Sequence, residues 1–272
     1  GEPASHPELL DWLAVQFQDD GWDVQKTLRR MVMSATYRQA AIVRGSVERD
    51  PENRLLSRGP RFRLDAEVLR DQALFVSGLL FEKLGGPSVK PPQPDGLWFA
   101  VGYSGSNTVR FKPDTGSDKV HRRTLYTFLK RTAPAPQMSI IDAPSREACT
   151  VRRERTNTPL QALLLLNDPQ YVECARGLAE RVLREGGQTD ESRAAYLLRL
   201  CTGRKPQGAE VAELVSAIGD LQSVYEKDEA AAAKLVATGS SATEASVPVS
   251  KLAAWTIGAN LVLNLDEVLT KN

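Results

Sequence analysis

The sequence has few of the residues from which metal and redox sites are built. Its 272 residues include two histidines, His6 and His121, and three widely spaced cysteines, Cys149, Cys174 and Cys201. No metal-ligand spacing, CxxC zinc pattern or CxxCH haem-attachment motif occurs. A zinc site, a c-type haem and a disulfide framework are therefore unsupported, while a single bridge stays open. Cys174 and Cys201 fall in helical patterns, and we expect both to be small core residues.

Catalytic and nucleotide-binding motifs are also absent. Without GxSxG there is no nucleophile elbow, and without GxxxxGK[ST] or GxGxxG nucleotide binding by those routes is unsupported. The net charge of +1, from 35 Lys+Arg and 34 Asp+Glu, gives no global attraction to nucleic acid or to an anionic membrane. We therefore predict no cofactor and no metal in this chain, and no nucleic-acid partner.

Long apolar runs are missing as well. No run approaches the roughly 20 residues needed to span a bilayer, so we predict no membrane span. The first residues, GEPASHPELL, lack the basic and apolar regions of a signal peptide, and there is no initiator Met. We interpret the chain as a C-terminal piece of a longer polypeptide.

Helical periodicity dominates what is present. The hydrophobic fraction of 42% and the charged fraction of 25% are those of a globular protein. We predict a mainly α fold, with residues 1–272 forming a single multi-helix globular domain that has at most a small β element. The predicted helices are 6–21, 24–35, 64–83, 159–166, 169–185, 190–202, 207–225 and 249–264. Residues 121–132 fit a helix or a strand, and we favour a helix.

Local signals set several of these boundaries. Ser5 and Glu8 have capping-box spacing, and Asp23 is a predicted N-cap. Gly85-Gly86 is predicted to end the helix that begins near Leu64. Residues 85–119 are rich in Gly and Pro and predict an ordered loop excursion, whereas the Ala/Ser-rich residues 227–248 predict a flexible insertion.

The central stretch, residues 142–184, combines an arginine cluster with two cap-plus-proline helix starts. Thr158-Pro159 and Asp168-Pro169 each place Pro at the first helical position, with Asp168 as an N-cap. They predict two helices that meet at a bend, the second of which ends at Gly186-Gly187. The arginines of the cluster are Arg146, Arg152, Arg153 and Arg155.

Several strings in this order resemble one family. They are HPELLDWLA (6–14), SATYRQ (34–39), NRLLSRGPRFRLDAEVLRD (53–71), GGPSVKPPQPDGLW (85–98), RRERTNTPLQALLLLNDPQYVE (152–173) and NLDEVLTKN (264–272). The chain resembles, essentially end to end, the planctomycete-specific domain at the C-terminus of large secreted or surface proteins with cytochrome c modules near the N-terminus. That domain has no known function and no catalytic residues to carry over. The resemblance implies an extracytoplasmic location and upstream cytochrome c-type modules as partners, on which any haem would sit. It also implies a setting of polysaccharide-degrading systems, which is an association and not a mechanism.

The arginine cluster predicts an anion site. Arg152, Arg153 and Arg155 precede a helix N-terminus, where guanidinium forks and free N–H groups suit carboxylate, sulfate or phosphate. The alternative is that the arginines pair with Asp142, Glu147, Asp168 or Glu173 and hold the loop to the helices. The candidate ligand-binding residues are Arg152, Arg153, Arg155, Asn157, Asn167 and Asp168.

Aromatic residues in the excursion offer a second candidate site. Trp98, Phe99 and Tyr103 would form a sugar-stacking platform or, alternatively, would anchor the excursion to the core. Two of the acids Asp142, Glu147 and Asp168 would suit a glycosidase only at about 5–10 Å apart, which a sequence does not give.

Three functional hypotheses follow. The first is a non-catalytic binding or scaffolding domain whose arginines hold an anionic ligand or a partner domain. The second is an enzyme domain acting on sulfated or uronic polysaccharide, with Asp142 or Asp168 as acid/base. The third is a docking partner of a haem module, which needs an exposed apolar face beside the basic run 119–131. If the arginines are all engaged in internal salt bridges, the first hypothesis, a scaffolding domain, is favoured.

Overall fold

The structure is a computed structural model that describes residues 3–41, 50–102, 105, 108–243 and 247–271. It divides into two compact units. Unit 1 is residues 1–62 with 270–272, and unit 2 is residues 63–269. The single domain over residues 1–272 remains a prediction.

The prediction of a mainly α fold is confirmed. The helices are α1 (Pro7–Asp19), α2 (Val24–Met33), α3 (Ala66–Ser77), α4 (Leu97–Val101), α5 (Ser117–Val120), α6 (Pro136–Ile140), α7 (Pro159–Asn167), α8 (Pro169–Glu185), α9 (Asp190–Thr202), α10 (Gly208–Lys227), α11 (Glu229–Val236), α12 (Val249–Leu263) and α13 (Asp266–Leu269). The β structure of the described residues is one two-stranded sheet, β1 (Phe62–Arg63) with β2 (Thr270–Lys271), besides isolated bridges. Among the same residues, no helix combines the length and the apolar character that crossing a bilayer requires.

Unit 1 is built on a helical hairpin, α1 followed by α2. Asp20 in the turn pairs with Lys26 at 2.5 Å and with Arg30 at 2.7 Å. As predicted, Asp23 caps α2, because its carboxylate accepts a hydrogen bond from the Lys26 N–H at 2.9 Å. The prediction of a capping box at Ser5 and Glu8 was wrong. His6 is the N-cap of α1, and no side chain caps that helix.

The core of unit 2 forms where α8 packs against α12, with α9, α10 and α11 around them. Alanines let these helices approach closely, since Ala175, Ala179 and Ala254 are fully buried around Trp255. Gly258 serves the same purpose, because a Cβ there would lie 2.7 Å from the Ile218 side chain of α10. A second apolar cluster joins α3, α6 and α7 to the start of α8.

Two predicted helices are shorter or absent. The helix expected over 64–83 ends at Ser77, because Gly78 takes a left-handed conformation (φ 77°) that terminates it. Residues 121–132 are not the expected helix. They hold a 3₁₀ turn at Thr124–Tyr126, and the flanking backbone forms isolated bridges, Arg122 with Phe81 and Thr127 with Val89.

The two irregular regions contain short helices. The excursion 85–119 includes α4 and most of α5, while residues 103–104 and 106–107 lie outside the described residues. The insertion 227–248, expected to be flexible, contains α11, and the side chains of Ala232 and Val236 are buried against the core. An alanine-rich composition is therefore compatible here with a packed helix, since alanine is the best helix former.

Candidate functional site

Three of the four arginines of the predicted cluster are paired with acids at the start of α3. Arg153 makes a bidentate bond to Glu67, with N···O distances of 2.7 and 3.1 Å. Arg146 reaches the same carboxylate at 3.4 Å, and Arg155 reaches Asp65 at 3.3 Å. These five residues are called the acid–arginine cluster below. They fasten residues 146–155 to the N-terminus of α3.

The predicted partners of Arg146 and Arg153 were wrong. The sequence suggested Asp142, Glu147, Asp168 or Glu173, whereas the structure pairs Arg153 with Glu67 and Asp65, which lie more than 80 residues away. Burial tends to raise the pKa of Glu67, but hydrogen bonds and charge from Arg153 outweigh it and lower that pKa. Arg152 is exposed and makes no ion pair within the described part of the chain.

The other candidate anion ligands have local structural contacts. The Asn157 side-chain oxygen accepts a bond from Arg63 at 3.1 Å, and the Asn167 amide donates to the Leu163 carbonyl of its own helix. Asp168 caps α8 as predicted, since its carboxylate accepts from the Gln170 N–H at 2.9 Å. Burial raises the pKa of Asp168.

The TNTPLQ string, residues 156–161, takes part in a group of hydrogen bonds around Asp142, which is called the clip. The carboxylate of Asp142, a residue with φ of 60°, accepts from the Thr156 N–H at 2.6 Å and from its hydroxyl at 2.8 Å. The fully buried Gln161 amide donates to Asp142 at 3.2 Å and to the Ile140 carbonyl at 2.9 Å. Thr158 and Gln161 complete a capping box at the start of α7. Burial acts to raise the pKa of Asp142, but these hydrogen bonds lower it, which keeps the group ionised and makes it a poor general acid.

Trp98 anchors the excursion and offers no stacking face. It is 2% exposed and lies between Phe111 and Phe128, with ring centroids 5.1 and 5.6 Å away. The Lys130 ammonium lies 4.9 Å from its ring centroid. Phe99 is exposed, and Tyr103 lies outside the described residues. A sugar platform that includes Trp98 is therefore not formed, because burial in an aromatic cluster gives this ring more contact than solvent would.

Four of the five residues of the acid–arginine cluster, all except Arg155, line one part of an open groove that sequence reasoning missed. This groove, the α3 groove, runs along the outer face of α3 and encloses about 1070 Å³. Val68 and Phe75 contribute from α3, and both are exposed. Leu125 and Leu129, from the predicted basic run, are exposed on its wall. The spacing of Val68 and Phe75, two turns apart on a helix, is the sequence signal that could have indicated this face.

Unit 2 also contains buried charges that the sequence did not reveal. The guanidinium of Arg70, 5% exposed, donates to the carbonyls of Val120 at 2.7 Å and Arg122 at 3.0 Å. It also bonds to Thr124 at 3.1 Å and to Gln170 at 3.0 Å. The buried Arg122 donates in turn to three carbonyls of residues 83–87. These two arginines donate hydrogen bonds to carbonyl groups in loops and at the end of α5, which have no hydrogen-bond partner in a strand or helix of the described chain.

Glu173 on α8 accepts hydrogen bonds from backbone N–H groups, just as the two buried arginines donate hydrogen bonds to backbone carbonyls. Its buried carboxylate accepts from the N–H groups of Ser240 at 2.9 Å and Ser241 at 2.7 Å, and lies 3.3 Å from the His121 ring. Burial acts to raise the pKa of Glu173, but the nearby His121 ring and the hydrogen bonds from Ser241 dominate and lower it to about 2. The carboxylate therefore anchors residues 240–241 rather than serving as an acid.

No arrangement for metal or thiol chemistry appears in the described residues. They contain no group of three or more His, Cys, Asp or Glu side chains that could hold a metal ion. All three cysteines are free thiols, and burial raises the pKa of Cys174 and of Cys201 to about 12. These two thiols are therefore protonated and unreactive at neutral pH.

Comparisons with known proteins identify a family for most of the chain. A family model described as "PSD1: Protein of unknown function (DUF1553)" matches residues 1–218. No curated protein and no solved structure matches the chain.

Proposed function

We propose that this chain, which belongs to the PSD1 family of proteins of unknown function, is a non-catalytic binding and scaffolding module. The module belongs to an extracytoplasmic multidomain protein whose upstream cytochrome c-type modules carry the haem. In this proposal the α3 groove receives a partner domain of the same polypeptide. The arginines shape the groove and do not hold a free anion.

The observation that carries the proposal is an exposed apolar surface beside basic residues. Leu125 and Leu129 are 77% and 42% exposed, although both are large apolar side chains. In the sequence they lie between the exposed Arg123 and Arg131 of the basic run. An apolar centre with a charged rim is the usual anatomy of a protein–protein interface. The rim of the groove carries both signs, with Asp71 and Glu82 beside Arg123 and Lys83, and suits a partner surface that also carries both signs.

The acid–arginine cluster supports docking over small-anion binding. Arg153 and Arg155 already face Asp65 and Glu67, so an incoming sulfate or uronate would have to displace these carboxylates. An acidic glycan is therefore the weaker of the two ligands considered. The enzymatic alternative has no supporting geometry, since Asp142 is held in the clip and Asp168 caps α8.

Cross-linking of the full-length parent protein tests the proposal. Lys83 lines the α3 groove, and an amine-reactive cross-linker should join it to an upstream module in the wild type. Leu125→Glu places a charge in the apolar centre and should reduce that cross-link at least about tenfold, as loss of an interface anchor does.

Val224→Glu is the matched control. Val224 is an exposed apolar residue on α10, away from the groove lining, and its variant should cross-link like the wild type. Lys83 cross-links that stay within this chain, or an equal loss in both variants, would refute docking at the groove.

A further inference from the structure

A second unpartnered surface lies in unit 1. The α1–α2 hairpin, residues 7–33, has no buried residue in either helix. Its large apolar side chains are nonetheless numerous and are arranged at helical spacing. Leu9, Leu10, Trp12, Val24, Leu28 and Val32 are all between 42% and 59% exposed. Val24, Leu28 and Val32 stand at i, i+4 and i+8, which places them along one side of α2.

The charges of the hairpin are segregated by helix. The charged residues of α1 are all acidic, Glu8, Asp11 and Asp19, whereas those of α2 are all basic, Lys26, Arg29 and Arg30. Asp20 uses Lys26 and Arg30 within the hairpin. The remaining charges of the two helices make no ion pair within the described residues.

We propose that the hairpins of two copies of this chain associate as an isologous four-helix bundle. In a two-fold arrangement, α1 of one copy lies beside α2 of the other, so residue i contacts j and j contacts i. The apolar sides then form the bundle core, as in other four-helix bundles. Each free acidic edge, including Asp19, faces the free basic edge at Arg29 of the other copy, so the charge pattern of the hairpin is self-complementary.

The size of the surface corresponds to a small interface. A standard protein interface buries about 800 Å² and about 20–30 residues on each side. Only one face of the 13 residues of α1 and the 10 residues of α2 can contact a second copy, so the hairpin supplies fewer residues than that, but without any rearrangement of a core. An anionic membrane is a poorer occupant, because Glu8, Asp11 and Asp19 would face its negative charge. The inference goes beyond the proposed function and does not depend on the α3 groove.

Sedimentation equilibrium of the whole chain tests the association. The wild type should be a dimer, and Leu28→Asp should weaken dimerisation at least about tenfold, as expected for a charge placed among desolvated apolar groups. Circular dichroism checks that the variant keeps its helices. Val224→Asp, on α10, is the control and should remain as dimeric as the wild type.

Exchanging the charges at positions 19 and 29 gives a second test, which does not depend on whether the Leu28→Asp variant folds. Arg29→Glu and Asp19→Lys, each alone, juxtapose like charges in the homodimer and should each weaken dimerisation roughly tenfold. A mixture of the two variants should regain near-wild-type affinity, since both edges of the mixed dimer then pair opposite charges. A wild type that is monomeric at all concentrations, a dimer insensitive to Leu28→Asp, or a mixture that does not recover would overturn the proposal. None of these outcomes bears on cross-linking at Lys83.

Discussion

Replacing Arg70 with methionine is expected to lower the free energy of unfolding by about 3–5 kcal/mol, the range for breaking a buried charged network. The side chain donates to two backbone carbonyls and to Thr124 and Gln170. Methionine fills similar volume but leaves the carbonyls of Val120 and Arg122 buried without a donor, and each such loss costs about 1–3 kcal/mol.

Urea denaturation followed by circular dichroism measures the change. Arg199→Met is the matched control, because Arg199 is exposed on α9 and its loss should stay within about 0.5 kcal/mol. Arg70→Lys should also destabilise the protein, since an ammonium does not reproduce the planar fork. If Arg70→Met were as stable as Arg199→Met, the view that Arg70 supports the backbone of residues 120–122 would be wrong.

Replacing Glu173 with glutamine is expected to change how the free energy of unfolding depends on pH. The folded-state pKa of Glu173 is lowered to about 2, against an ordinary value of about 4.3. A lowered pKa means that the stabilisation is complete above the unfolded-state pKa and is lost as the pH falls through the folded-state pKa. The window is therefore about pH 4.5 down to 2, and the contribution at neutral pH is about 3 kcal/mol.

Unfolding free energies at pH 7, 4.5, 3 and 2 test this expectation. The difference between the wild type and Glu173→Gln should be largest at pH 7 and should shrink towards pH 2. Glu213→Gln, an exposed substitution on α10, is the control and should run parallel to the wild type. A difference that is constant from pH 7 to pH 2 would show that the carboxylate charge does not hold residues 240–241.

Local signals predicted the bend at the centre of unit 2. Thr158-Pro159 and Asp168-Pro169 start α7 and α8 where the sequence placed them, because caps and a first-turn proline act on neighbouring backbone. Gly203 ends α9 with a left-handed conformation in the same way. Such features depend on residues within one turn, and a sequence displays those directly.

Contacts between distant residues could not be predicted in this way. The charge pattern identified Arg153 as an anion ligand or a salt-bridge partner, but nothing local points to Glu67, 86 residues away. Gly78 was passed over as a helix end because apolar residues continue beyond it at helical spacing. Arg70 gives no signal at all, since its acceptors are mostly backbone carbonyls, which every residue carries.

Apolar periodicity also left the exposed faces ambiguous. Leu28 and Phe75 both lie at helical spacing in predicted helices, yet both are more than half exposed. A periodic stripe shows that a face needs covering, but not whether the same chain covers it. Both interaction surfaces in this account, the α3 groove and the α1–α2 hairpin, come from stripes of this kind.

The central claim is that Arg146, Arg153 and Arg155 form internal ion pairs instead of a ligand site. A thermal-shift screen of the chain against sulfated and uronic oligosaccharides, beside the Arg153→Ala/Arg155→Ala double variant, tests it most directly. No oligosaccharide should raise the melting temperature of the wild type. The double variant should melt a few degrees lower, since about 1 kcal/mol corresponds to roughly 2–4 °C in a protein of this size. An oligosaccharide that stabilises the wild type but not the still-folded double variant would contradict the claim and would make the cluster an anion-binding site.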